Sequence, residues 1–382
     1  MRFRHRDGTL VHLAYCTNVH PAEDLDGVVT QLDVYAAAVR ERLGVPRLGV
    51  GLWLGREVVR RLIAEPDGVD RLRGALDDCR LEVVTFNGFP YQGFHSKTVK
   101  KRVYHPDWTT DARLHHTLDL ARLLSRLLPE DVRAGSISTL PLAWRTPWSA
   151  QRASKVAARL ERLDRELAAL AVETGKKIRI GFEPEPGCVV ETTAQAVRLL
   201  PGGTAHLGIC LDTCHLAVAF ESADAVAGLT AAGLPVVKVQ ASCALHADRP
   251  ADAGQRRALT AFSEPRFLHQ TREEGMATGV DDLSLALGGR LPGARPWRVH
   301  FHVPVHAEPA PPLSATQDVL LGTLDVLLGG SRALTDHVEV ETYTWQVLPA
   351  PPTGVRELVG GIAAELSWTR DRLIELGLKE ET

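Results

Sequence analysis

The chain has little that would mark a membrane, secreted or nucleic-acid-binding protein. No apolar run reaches the roughly 18 residues that a membrane-spanning helix needs. The opening segment, Met1-Arg-Phe-Arg-His-Arg-Asp-Gly, has charge but no apolar stretch behind it, which argues against a secretory signal. Six cysteines, at 16, 79, 188, 210, 214 and 243, include no Cys-x-x-Cys pair, so neither a zinc ribbon nor a disulfide framework is expected. Reduced thiols in a cytoplasmic protein are the simplest expectation. Charge of either sign is not in excess: 47 acidic residues face 44 basic ones, for a net charge of −3, so there is no basic footprint for nucleic acid. No Gly-x-Gly-x-x-Gly follows the first strand-like segment, which ends Cys16-Thr-Asn-Val-His-Pro, and this counts against an open, dinucleotide-binding sheet.

What is present is a regular alternation over 382 residues. Short segments rich in Val, Ile and Leu predict strands at Val11–Cys16, Leu48–Leu54, Leu81–Phe86, Val132–Thr139, Ile178–Glu183, His206–Asp212, Val236–Ala241, Val299–Val303 and Val338–Thr342. Helical patterns lie between them, at about Pro21–Leu43, Glu57–Asp78, Asp111–Leu128, Ala150–Glu173, Thr192–Leu200, Ala223–Ala232, Ala315–Leu328 and Val355–Leu376. In the clearest, Val156, Leu160, Leu163, Leu167 and Leu170 form one stripe, and Gly175 is a natural stop. Repeated βα units without a linker predict a single (β/α)8 TIM barrel over 1–382, with a doubly wound sheet as the alternative. Nine strand segments compete for eight places. The long step from Val236 to Val338 resolves this by making 242–312 an insertion after strand seven, with Val299–Val303 a local strand inside it.

Strand parity points to a site. Arg179, Gly181 and Glu183 share one face of their strand; His206, Gly208, Cys210 and Asp212, then Lys238 and Gln240, then Glu339 and Glu341, do the same on theirs. The opposite faces are apolar and suit the helices, so the polar set faces the barrel interior. Its carboxylates gather at the C-terminal strand ends, where barrel enzymes build their sites. Burying several ionised carboxylates together costs several kcal/mol each, and a divalent cation removes that cost. Capping of the following helices is the alternative use for any one of them.

Leu211-Asp-Thr-Cys-His is the sharpest local signal. Asp212 ends a strand and His215 falls three residues on, a spacing that can aim a carboxylate and an imidazole at one ion. Phe182-Glu-Pro-Glu-Pro-Gly offers Glu183 as a ligand and Glu185 as a second ligand or proton-transfer group, with prolines fixing the backbone between them. Glu341 ends the last strand. Arg298-Val-His-Phe-His-Val-Pro-Val-His puts His300, His302 and His306 on one parity, suited to metal or substrate contact or simply to solvent. After strand one come Asn18, His20 and Glu23. After strand three a long aromatic loop carries Asn87, Tyr91 and His95, as loops that cover substrates do. Lys97, Lys100, Lys101 and Arg102 read as a solvated face or, less simply, a contact for an anionic ligand, and His115-His116 as surface.

With these residues in hand, the chain resembles the xylose-isomerase-like TIM-barrel superfamily in element order over nearly its whole length. That superfamily includes sugar isomerases, ketose epimerases and the endonuclease IV type of nuclease. Leu211-Asp-Thr-Cys-His is similar to its strand-six metal motif, Glu183 to the preceding strand-end glutamate and Glu341 to the final one. The His300/His302 pair is similar to the nuclease group's Asp-x-His, with His300 where that group has aspartate. Strand seven departs from the pattern: Lys238 and Gln240 stand where a histidine ligand is usual, and a protonated lysine repels a cation.

The resemblance implies Glu183, Asp212, His215, His302 and Glu341 as ligands of a divalent metal (Mn, Zn or Mg). Glu183 and Glu341 are then the expected catalytic groups, Lys238 would stabilise an oxyanion in place of the missing histidine, and His20, Asn87, His95, Glu185, Gln240 and His300 are expected around a small-molecule metabolite. More narrowly, Tyr15-Cys-Thr-Asn-Val-His-Pro, Phe86-Asn-Gly-Phe-Pro-Tyr and Glu341-Thr-Tyr-Thr-Trp, together with the motifs above, resemble the Ebo-type metabolite-traffic proteins of a bacterial gene cluster. That implies a role in secondary-metabolite traffic, alongside partners encoded in the same cluster. The activity expected is metal-assisted isomerisation or epimerisation of a sugar-like metabolite. A non-catalytic binding or handover protein and a metal-dependent phosphodiesterase are the alternatives.

Overall fold

The computed structural model describes residues 1–381. Eight parallel strands close a barrel: Leu10–Cys16, Leu48–Trp53, Leu81–Asn87, Ala134–Thr139, Lys177–Phe182, Leu207–Asp212, Val236–Ala241 and His337–Val340. Closure is made by the last strand, which pairs with the seventh through Val338↔Val239 and with the first through His337↔His12 and Val340↔Tyr15. That closing pair excludes the open doubly wound sheet. All eight strands coincide with segments predicted from apolar patterning, with ends moved by two residues or fewer.

The helices follow local rules. Ala150–Thr174 is capped by the Ser149 hydroxyl, stops at Gly175 in the left-handed region (φ 67°), and buries Val156, Leu160, Leu163 and Leu167. Predicted Glu57–Asp78 is two helices, Arg56–Ala64 and Pro66–Asp78, because the residue before a proline is pushed out of helical geometry and Glu65 turns extended (ψ 94°). His116 corrects an expectation: it is fully buried, its ring against Tyr91 at 4.8 Å, whereas His115 is exposed. No described helix is long and apolar enough to cross a membrane.

Two features were not predicted. Arg2–Arg4 pairs antiparallel with Leu10–His12 on one side and with Lys379–Glu381 on the other, joining the two ends of the chain at the foot of the barrel. The segment between strands seven and eight carries its own antiparallel sheet, made of Cys243–Ala247, Thr271–Glu273, Trp297–Val303 and Ser314–Ala315. Only its third strand was foreseen. Strand seven runs almost directly into this sheet: after Ser242 the chain continues as Cys243–Ala247, against which Trp297–Val303 returns in register Val303↔Cys243. Glu273 holds the proline-rich turn, accepting from the backbone of Gly293 (2.7 Å) and Ala294 (3.0 Å) and from the Trp297 indole (3.0 Å).

The barrel interior is more polar than the branched apolar filling usual for such barrels. Lys238 and Glu339, both fully buried, form an ion pair at mid-height. Gly51 makes room for it: a Cβ there would lie 1.4 Å from the Glu339 carboxylate. Below, Arg179 pairs with Asp336, and the Ser136 hydroxyl bonds His337 (2.6 Å) and Thr85 (2.9 Å).

Candidate active site and metal centre

At the C-terminal mouth, four carboxylates and three histidines converge. Glu183 leaves strand five with its backbone N–H bonded to Thr139 O (3.0 Å), and Glu185 is turned back by a bond to Val190 O (3.0 Å). Asp212 ends strand six and takes the capping role considered for it. Its Oδ1 caps the helix Thr213–Val218, accepting from Cys214 N (2.8 Å) and His215 N (3.0 Å), and accepts from the Ser242 hydroxyl (2.7 Å). Its Oδ2 has no hydrogen-bond partner. Glu341 follows strand eight, its Oε1 held by the amides of Asn18 (2.6 Å) and Asn87 (2.9 Å).

The histidine tautomers are set by acceptors behind them. His215 Nδ1 faces Pro184 O (3.1 Å) and His302 Nδ1 faces Glu341 O (2.7 Å), so each carries its proton there. His300 Nδ1 faces Gln270 Oε1 (2.8 Å), and that amide is oriented by its own N–H donated to Pro186 O (2.8 Å). All three Nε2 lone pairs therefore turn inward. His302 Nε2 lies 3.8 Å from Asp212 Oδ2, and neither atom has a hydrogen-bond partner.

These groups are packed as a cation would need them. Donor atoms of Glu183, Asp212 and Glu341 lie within 4.8 Å of one another, as do those of Asp212, His215 and His302. Ligands at about 2 Å from one ion sit roughly 3–4 Å apart. Burial, and then the neighbouring Glu341 and Asp212, hold the Glu183 carboxyl well above its ordinary range. Burial, Asp212 and Glu339 do the same to Glu341. Left without a cation, these acids would keep their protons. The unpartnered Glu183 Oε2, Asp212 Oδ2 and His302 Nε2 are the observation that fits a metal.

Beside this cluster is a proton-holding pair. Burial, reinforced by Asp212, pushes Glu185 up to about 8, although Tyr104 donates to its Oε1 at 2.7 Å. Its Oε2 lies 3.1 Å from His215 Nε2, so at neutral pH a proton on Glu185 is donated to that lone pair. His300 Nε2 also lies 3.0 Å from His215 Nε2, and burial keeps both histidines neutral.

The mouth cavity, of about 60 Å³, is lined by Asn87, Glu183, Glu185, His215, His300, His302 and Glu341 from the expected set. Asp212 sits just behind them. Four expected residues lie elsewhere. Lys238 is below the mouth, its ammonium held up above its ordinary range by Glu339 against the opposing cost of burial, and so it does not face a substrate. Gln240 lies in the same layer and accepts from the Cys210 thiol (2.7 Å). His20 is fully buried, stacked on Tyr35 (4.2 Å) and bonded to the Tyr15 hydroxyl (3.2 Å); burial lowers it to about 3. His95 packs edge-on against Trp53 (5.3 Å), and burial lowers it to about 4.

Strand seven brings no histidine to the mouth; His302 reaches it from the inserted strand that pairs with the continuation of strand seven. Tyr104, Gln270, Tyr343 and Phe267 were missed. Tyr343 lies within the Glu341-Thr-Tyr-Thr-Trp motif without having been singled out, whereas Tyr104, Phe267 and Gln270 sit on loops that no local motif marks. Lys100 and Lys101, read as a solvated face, instead pair with Asp282 (2.5 Å) and Asp281 (3.2 Å) of the insertion.

The closed barrel is a (β/α)8 TIM barrel. Among solved structures it is similar to a proposed sugar phosphate isomerase/epimerase from Anabaena variabilis, at 12% identity and TM-score 0.51, over 96% of this chain and 99% of that one. It also matches a xylose isomerase domain protein from Alicyclobacillus acidocaldarius (16% identity, TM-score 0.49, 95% and 99% covered). A third match is the IolI protein with a bound zinc atom (12% identity, TM-score 0.48, 96% and 99% covered). No protein-family model matches the chain, and neither does any curated protein.

Proposed function

We propose that the protein is a divalent-metal-assisted isomerase or epimerase acting on a small α-hydroxy carbonyl metabolite of sugar-like chemistry. The observation that carries this is the convergence of unpartnered Glu183, Asp212 and His302 atoms at the mouth of the barrel, beside Glu341. Glu183, Asp212, Glu341 and His302 would hold the metal, with His215 next to it. When bound, the metal supplies Lewis-acid stabilisation of charge on the substrate's neighbouring oxygens.

The chain's own residues then handle the proton. Glu183 and Glu341 both line the cavity. One carboxylate takes the proton from the carbon beside the carbonyl, and the C–H electron pair moves into the enediolate. The other, as a carboxylic acid, returns a proton to a carbon of that enediolate. Asn18 and Asn87 both donate to Glu341 Oε1 and so orient this carboxylate. Glu185, protonated at neutral pH, serves as a proton reserve through His215. The Anabaena neighbour's name supports this class of reaction. The motifs shared with the Ebo-type proteins support a setting in metabolite traffic, which co-purification with proteins of such a gene cluster would test.

The direct test is proton exchange. Mn²⁺-loaded protein incubated in D₂O with α-hydroxy carbonyl compounds is expected to incorporate deuterium at the carbon beside the carbonyl, read by NMR. Glu341→Gln is expected to lose at least about 100-fold in rate. Absence of exchange both across three- to six-carbon ketoses and aldoses and across α-hydroxy ketones carrying an apolar substituent would overturn the assignment.

A further inference from the structure

The mouth cavity is chemically divided. Its floor is made of the carboxylates and histidines described above. Its walls and roof are Phe89, Phe94, Val99, Val103, Phe267 and Leu268, with the ring of Tyr343. Most of the polar atoms among these walls already have partners. The Tyr104 hydroxyl donates to Glu185 (2.7 Å) and accepts from Gln270 (2.7 Å). Lys100 is paired with Asp282 (2.5 Å), and the Tyr343 hydroxyl faces His300 Nε2 (3.5 Å).

From this division we infer that the substrate carries an apolar substituent, aromatic or aliphatic, on the far side of its metal-binding oxygens, so that it is not hydroxylated along its whole length. This rests on the proposed function and narrows its substrate class. A sugar hydroxylated on every carbon would bury hydroxyls against phenyl and isobutyl groups with no partner for them, and each unpaired hydroxyl costs affinity. An apolar substituent leaves water for those same groups and gains by it.

The roof is placed to respond to such a group. Phe94, Phe267 and Tyr343 come from three separate loops and pack on one another with ring centroids 5.2, 5.5 and 4.9 Å apart. The cavity that they line opens to solvent. An apolar group reaching up from the floor would lie against these rings.

Three hydroxamates with the same chelating end test this on Mn²⁺-loaded protein by titration calorimetry. They are acetohydroxamate, phenylacetohydroxamate and the polyhydroxylated erythronohydroxamate. Phenylacetohydroxamate is expected to bind about ten-fold or more tighter than acetohydroxamate, and erythronohydroxamate no tighter than acetohydroxamate. Phe94→Ala and Phe267→Ala are expected to shrink the first ratio to about three-fold or less, with Mn²⁺ affinity unchanged. Erythronohydroxamate binding as tightly as the phenyl compound would overturn the inference while leaving the metal reading standing, as would a ratio untouched by both substitutions. Wild-type protein that binds no Mn²⁺ would overturn the proposed function and this inference with it.

Discussion

Asp212 divides its two oxygens between structure and chemistry, and this makes it a clean residue to perturb. Oδ1 caps a helix and takes the Ser242 hydroxyl, while Oδ2 points at His302 with no hydrogen-bond partner. Asparagine is as good an N-cap as aspartate. Asp212→Asn is therefore expected to keep the thermal midpoint within a few degrees while weakening divalent-metal affinity by about 100-fold or more, measured by calorimetry on chelator-stripped protein. Asn18→Ala and Asn87→Ala act one step back, by freeing Glu341, and each is expected to cost about 10-fold in the same measurement. At this scale much was legible in the sequence. Strand-end parity places Glu183, Asp212 and Glu341 inward before any fold is known. Parity says nothing about height, however, so Lys238 and Gln240 shared a face with the site but lie beneath it.

At the scale of elements, the decisive one is the inserted sheet. Because Cys243–Ala247 continues strand seven, its partner strand Trp297–Val303 returns over the mouth and brings His300 and His302 with it. The i, i+2 histidine spacing was visible in the sequence, but its use depended on a long-range antiparallel pairing that no local pattern encodes. The loops around this sheet are tied to the last helix, Val355–Glu375, by buried Glu365. That carboxylate accepts from Val305 N (3.1 Å), the Thr342 hydroxyl (2.6 Å) and the Trp345 indole (2.9 Å). Burial raises Glu365 from an ordinary 4.5 to about 7 in spite of those donors. A folded-state value above the unfolded one means its stabilising contribution is complete below about pH 4.5 and is lost as pH rises through 7. The loss is on the order of 3 kcal/mol. Urea unfolding at pH 5 and pH 8 should show that decline added to those of Glu183, Glu185 and Glu341, and Glu365→Gln should make the difference smaller by about that amount. An unchanged difference would show that another group sets the slope.

For the molecule as a whole, alternation and spacing were enough to indicate a barrel, because covered parallel strands must be apolar on the helix side and regularly spaced. They could not indicate how the interior is filled. The Lys238–Glu339 pair fills it at mid-height, in space left by Gly51. Removing one partner leaves a buried charge, so Lys238→Ala is expected to cost about 3–5 kcal/mol of unfolding free energy. The double substitution Lys238→Met with Glu339→Leu should cost clearly less. Equal losses would mean that packing rather than charge dominates there. Above that layer, the central claim is that one mouth of this barrel binds a divalent cation through Glu183, Asp212, His302 and Glu341. Calorimetric titration of chelator-stripped protein with Mn²⁺ and Zn²⁺ tests it most directly. The account predicts saturable binding in the wild type that is lost in the Glu183→Gln, Glu341→Gln double variant while the fold, followed by circular dichroism, persists. Wild-type protein that takes up neither ion would contradict it.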